Sequence, residues 1–121
     1  MTKILIVDDD NETISLLSSL LAAGGYEPCA ETISRHAIDT AHSVRPNLIL
    51  LDIMMHELNG IELCRMFKND SALANIPIVM VSALNDQGSK NDSFKAGAID
   101  FITKPINNKD FMDRVHSALG E

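Results

Sequence analysis

The stretch Leu48-Ile49-Leu50-Leu51-Asp52-Ile53-Met54-Met55-His56-Glu57-Leu58-Asn59-Gly60 decides how this chain folds. Four aliphatic residues in a row end on a carboxylate. A run that short and that apolar predicts a strand buried on both faces, as inside a parallel sheet. An aspartate cannot sit in such an interior without a partner. Asp52 therefore marks the strand's exit, and in open α/β sheets that exit edge is where ligands bind.

Working outward, the same pattern recurs. Lys3 to Val7 is a first strand, apolar on both faces, and it stops at Asp8-Asp9-Asp10. A helix from about Asn11 to Ala23 follows, capped by Asp10 or Asn11, with Ile14, Leu17, Leu20 and Leu21 inward and Gly24-Gly25 ending it. Tyr26 to Ala30 is a second strand, and Pro28 gives it an edge position because proline cannot donate to a ladder. Thr32 or Ser34 caps a second helix that ends near Val44. Asn59-Gly60 opens a third helix carrying Ile61, Cys64 and Phe67. Pro77 to Val81 is the fourth strand, ending on Ser82. Asn85 to Gly97 is the least apolar helix, with Phe94 as its large anchor, and should be the loosest-packed element. Ile99 to Ile102 is the fifth strand, leading to Lys104-Pro105. Asn107 caps a last helix with Phe111, Val115, Ala118 and Leu119 inward.

Five strand–helix alternations predict an α/β fold: a five-stranded parallel sheet with five helices on its two faces, joined by right-handed crossovers. The most apolar strands, one, three and four, belong in the centre, and the second at an edge. The order 2-1-3-4-5 satisfies this and puts the topological switch point between strands one and three.

Composition narrows the function. A chain of 121 residues, 45% hydrophobic, suits one domain over 1–121. The formal net charge of −7 argues against direct nucleic-acid binding. Cys29 and Cys64 lack CxxC spacing and read as buried hydrophobes in a reducing compartment. With no leader-like start and no long apolar span, the expectation is a cytoplasmic protein that does not enter a membrane.

The predicted topology brings polar residues from four strand ends to one rim: Asp8 and Asp9, Asp52, Ser82 and Lys104. Taken singly, these read as caps, turn residues or a solvated charge; their coincidence on one rim does not. Two like charges about 4 Å apart cost roughly 4 kcal/mol at an effective dielectric near 20. Three carboxylates therefore call for a cation, and oxygen-only ligands suit Mg²⁺. Phosphoryl transfer needs this set: Mg²⁺, the Lys104 ammonium and the Ser82 hydroxyl on the equatorial oxygens, and Asp52 attacking in line to become an acyl phosphate.

On these residues the chain resembles the receiver domain of bacterial response regulators, a flavodoxin-like three-layer sandwich. The resemblance spans the whole chain. It rests on Ile6-Val7-Asp8-Asp9, on Leu51 to Met55 with Asn59-Gly60, on Val81-Ser82-Ala83, and on Lys95 to Pro105. It implies Mg²⁺ held by Asp9, Asp52 and the Met54 carbonyl, with Asp8 acting through water. It implies phosphorylation of Asp52 by a phosphohistidine of a sensor histidine kinase or phosphotransfer protein, and a cis Lys104–Pro105 bond. Ser82 and Phe101 are the implied switch pair, the first drawing toward the phosphoryl group while the second turns inward. The implied readout face is helix four, strand five and helix five, presented to a downstream effector or a fused output domain. A phosphorylation-dependent dimer stays open, as does whether this receiver stands alone or belongs to a longer protein.

His56 departs from the family, which usually has proline four residues after the acceptor aspartate; the plain reading is a tolerated substitution with a looser turn. His36, His42 and His116 lie on helix surfaces without i, i+4 pairing, so no metal role is assigned. Met54 and Leu84 flank the implied phosphoryl site and are apolar, which should hinder attacking water. Apart from self-phosphorylation and self-dephosphorylation, the reading is not an enzyme. Two alternatives compete. Asp8-x-Asp10 resembles the nucleophile loop of haloacid-dehalogenase-type phosphatases, making Asp8 the nucleophile of a Mg²⁺-dependent phosphohydrolase. The other is a docking module that does not switch. A flavodoxin-like cofactor role is disfavoured, because the loop after the first strand is acidic where a phosphate cradle is rich in Gly, Ser and Thr.

Overall fold

Leu48–Leu51 is the central strand of a five-stranded parallel sheet, fully buried as its unbroken aliphatic sequence requires. The computed structural model describes all 121 residues. In chain order the elements are β1 (Lys3–Val7), α1 (Asn11–Ala23), β2 (Glu27–Glu31), a 3₁₀ turn (Ser34–His36), α2 (Ala37–Val44), β3 (Leu48–Leu51), α3 (Gly60–Asn69), β4 (Ile78–Ser82), α4 (Gln87–Ala96), β5 (Asp100–Thr103) and α5 (Asn108–Ala118). The strand order is β2-β1-β3-β4-β5, as the apolarity of the strands dictates. The Lys104–Pro105 peptide bond is cis.

Alternation along the strands divides the core in two. Leu5, Val7, Ile49, Leu51, Ile78 and Met80 face α2, α3 and α4, meeting Ala37, Ala41, Leu63, Cys64, Phe67 and Ala96. Ile4, Ile6, Leu48, Leu50, Val79 and Val81 face α1 and α5, meeting Leu17, Leu21, Phe111 and Val115. Each such side chain removed from water contributes about 1.5–3 kcal/mol. The helices on these two faces are the outer layers of the sandwich.

The caps follow the sequence. Asp10, Asn59, Asp86 and Asn107 each accept a backbone N–H from the first turn of the helix they precede. Three strands begin one residue later than expected: β2 at Glu27, β4 at Ile78 and β5 at Asp100. Tyr26, the expected first residue of β2, is instead a buried anchor beneath α1 and α5, its hydroxyl bonded to Glu121. The second helix starts late, because Ser34–His36 makes a tighter turn first.

Helix α4 corrects one expectation. Phe94 is not its buried anchor: it is 46% exposed, and the helix packs through Ser93 and Ala96. The reason is the close approach of α3, where Cys64 Sγ lies 3.6 Å from the Ala96 carbonyl oxygen. Only small side chains fit that seam. Ser93 settles its buried hydroxyl on the Ser89 carbonyl at 2.7 Å. Gly97 ends α4 at φ 115°, a conformation glycine adopts without strain.

Candidate functional site

Because the strands are parallel, β1, β3, β4 and β5 release their next residues at one rim. Asp8, Asp9 and Asp52 converge there, with one carboxylate oxygen from each within 4.8 Å of the others. Lys104 Nζ lies 3.0 Å from Asp8 Oδ2 and 3.8 Å from Asp52 Oδ2. Its main-chain N–H donates to the Ser82 carbonyl at 2.9 Å, which ties the β5–α5 loop to the end of β4. Ser82 is fully buried, and its Oγ accepts the Leu84 N–H at 3.2 Å.

The electrostatics separate the two buried acids. Asp8 has both oxygens engaged: Oδ1 accepts the Asp10 N–H at 2.9 Å and Oδ2 pairs with Lys104. Asp52 accepts only its neighbour's N–H, from Ile53 at 2.8 Å, while Oδ2 stands farther from the lysine. Its carboxyl is pushed up to about 6, first by burial and then by the charge of Asp8, with Lys104 pulling in the opposite direction. A donor set of three carboxylates, oxygen only and mutually repelling, fits a hard divalent cation such as Mg²⁺.

The loop after β3 folds tightly over this rim. The Gly60 N–H donates to the Ile53 carbonyl at 2.7 Å. A Cβ at Gly60 would sit 1.9 Å from the Asp52 carbonyl oxygen, so only glycine lets α3 begin there. His56, at the place the resemblance gives to proline, uses the group proline lacks: its N–H donates to Asp9 Oδ2 at 3.0 Å. A depression of about 500 Å³ beside the acids is lined by residues that include Asp9, Met54, His56 and Leu84. Met54 is 63% exposed at its mouth.

Phe101 is buried and packs with the face that holds α3, so its ring already points inward, with Lys90 Nζ 5.9 Å from the ring centre. The other histidines take no part in the rim. His42 pairs with Asp70 at 2.7 Å, between the ends of α2 and α3, and His116 makes an edge contact with Tyr26. Sequence reading missed Ser34 as more than a cap. It is buried at the rim's flank, where Oγ donates to the His56 carbonyl at 2.6 Å. Its only signal was a small polar residue before an apolar helix face, which a cap shares.

Comparison with known proteins agrees with this geometry. A profile for the response regulator receiver domain matches residues 4–116. The polar-differentiation response regulator DivK of Brucella anthropi is 33% identical over 118 residues, 98% of this chain and 96% of its own length. The response regulator PleD of Caulobacter vibrioides is 36% identical over 115 residues, 95% of this chain; the match spans only 25% of PleD's length. Among solved structures, the BeF3-activated N-terminal receiver domain of Klebsiella pneumoniae RstA superposes with a TM-score of 0.92 at 28% identity, covering 99% of this chain and 100% of that one. The chemotaxis protein CheY4 of Vibrio cholerae gives 0.92 at 25% identity, with 98% of each chain covered. With the strand order, the acid-lined rim and the whole-length likeness in agreement, this chain belongs to the receiver domains of two-component response regulators.

Proposed function

We propose that the chain is one receiver domain, residues 1–121, that accepts a phosphoryl group on Asp52 and passes the signal through its α4–β5–α5 face. The observation that carries this is the contrast between the two buried acids. Asp8 is saturated by Lys104 and a backbone N–H, whereas Asp52 keeps an oxygen with no closer partner than 3.8 Å. In the transfer, that oxygen attacks phosphorus in line. The bond from phosphorus to the donor imidazole breaks, and its electron pair leaves with the histidine ring of a sensor kinase or phosphotransfer protein. Asp9, Asp52 and the Met54 carbonyl would hold Mg²⁺, with Asp8 acting through water. The bound ion would offset the crowding of acids and take part of the charge on the phosphoryl oxygens.

Lys104 is placed to release part of its hold on Asp8 and meet the incoming group. Ser82, at the end of β4, would offer its hydroxyl to the same group. A shift of Ser82 would be felt at Phe101, because Met80 and Phe101 are paired across β4 and β5 two residues back. The two thus bias a two-state surface toward a downstream effector, a fused output domain or a second copy. Met54 and Leu84 border the depression beside the acids and would slow the approach of water to the acyl phosphate. The chain is then a signalling domain whose only chemistry is its own phosphorylation and dephosphorylation. A cytoplasmic setting accords with its partners; no helix is long and apolar enough to cross a membrane.

The test is to incubate the chain with acetyl phosphate and Mg²⁺ and map the modified residue by mass spectrometry. Modification at Asp52, absent in Asp52→Asn, supports the proposal. Modification at Asp8 would overturn it in favour of a phosphohydrolase. Met54→Asn and Leu84→Glu should each shorten the lifetime of the phosphorylated form, and an unchanged lifetime would remove the shielding role.

A further inference from the structure

The segment joining β3 to α3 is fastened at three points, and all three lie far away in sequence. The His56 N–H donates to Asp9 Oδ2 at 3.0 Å. The His56 carbonyl accepts from Ser34 Oγ at 2.6 Å, and the same Oγ accepts the Leu58 N–H at 3.3 Å. Ser34 is 3% exposed, so its hydroxyl is used up by the two peptide groups on either side of Glu57. Glu57 itself lies at φ 74°, in the left-handed region that side chains other than glycine seldom occupy, and its carboxylate pairs with Arg35 of the same 3₁₀ turn. A strained residue clamped on both sides leaves little freedom to the amide just before it. That amide is aimed at one carboxylate.

We infer that the His56 main-chain N–H, fixed by Ser34, is a positioning donor that presets Asp9 for a divalent cation, so that the turn before α2 is part of the support of the cation site. The inference rests on the acidic cluster being such a site. A carboxylate has about four lone-pair positions, so one N–H on Oδ2 leaves Oδ1 free to ligate. Ordering the group in advance lowers the entropy that binding would otherwise lose. Outer partners of metal-ligating groups typically govern about 10–100-fold in affinity. The imidazole has no part in this; the backbone donor does, and proline is the residue that lacks it.

The test is a calorimetric titration of Mg²⁺ into the full chain, with hydrogen exchange at the His56 amide followed in metal-free protein. His56→Pro should bind Mg²⁺ about tenfold more weakly. His56→Ala, which retains the donor, should bind as the unchanged chain does. Ser34→Ala should weaken binding by a smaller factor and speed exchange at the His56 amide. This variant keeps the inference testable should His56→Pro fail to fold. Unchanged affinity and unchanged exchange in Ser34→Ala would overturn the inference. So would a His56→Ala as weak as His56→Pro, which would assign the effect to the ring. Those results leave the phosphoacceptor reading standing; an unchanged chain that takes up no Mg²⁺ would defeat both.

Discussion

Helix α3 buries Leu63, Cys64 and Phe67 against the sheet, while α4, of the same ten-residue length and packed beside it, buries Ser93 and Ala96 and turns Phe94 to solvent. One helix is held by large apolar side chains, the other by the absence of side chains that would keep it away. Depth of burial sets the free energy of local opening. The first helix is therefore the fixed wall of the site: its opening residue, Gly60, rests on the main chain of Asp52. The second can shift at low cost, which is what a surface that reports a distant phosphoryl group requires. In the proposed reading, the rigid helix stands at the chemistry and the loose one at the output.

The contrast can be broken most forcefully at Phe67. Phe67→Ala should lose about 3–5 kcal/mol in urea denaturation, a large part of a small domain's stability. A loss under about 1 kcal/mol would mean α3 is no anchor. Gly60→Ala comes next, at about 1–3 kcal/mol for forcing a methyl group against the Asp52 carbonyl. It should also slow phosphorylation by acetyl phosphate, since the backbone of Asp52, the proposed acceptor, must move.

Asp52 sharpens the comparison through pH. Its carboxyl holds a proton up to about 6 in the folded chain, against 3.8 as its ordinary value. Between those values the folded state binds more protons than the unfolded one, so metal-free stability should fall as pH rises from about 4 to about 6 and stay lower above it. Asp52→Asn should flatten that fall and stabilise the metal-free chain at neutral pH by about 1 kcal/mol, after allowance for solvent screening. Melting curves at stepped pH measure it. The smallest effect belongs to α4: Phe94→Ala should change stability by less than about 0.5 kcal/mol. Amides of α4 should also exchange with solvent well before those of α3. Equal exchange in the two helices would erase the distinction.

Much of this was legible in residue order. Leu48 to Leu51 reads as a buried strand and Pro28 as an edge residue; with the apolarity of the first and fourth strands they point to the strand order. The acids, Ser82 and Lys104 were legible because each directly follows a strand, and parallel strands empty onto one rim. Phe94 was misread for a physical reason: a large apolar residue in a polar helix is the natural anchor unless the partner surface comes too close, and that approach belongs to α3. The roles of Ser34 and His56 were hidden because they depend on contacts across more than twenty positions. In His56 the working atom is in the backbone, which every residue but proline shares. Gly60 was seen as a helix start, but its clash with Asp52 exists only once the loop has closed.

The proline in β2 has a further consequence. A row of free donors and acceptors on an outer strand invites another chain to extend the sheet, and Pro28 removes one donor from that row, between Glu27 and Glu31 at the strand's ends. The opposite border, β5, is only four residues long and begins with Asp100, which is paired with Arg114. Neither border is a good template for fibre-like growth. Extension of the sheet is therefore a poor route by which copies of this chain could pair.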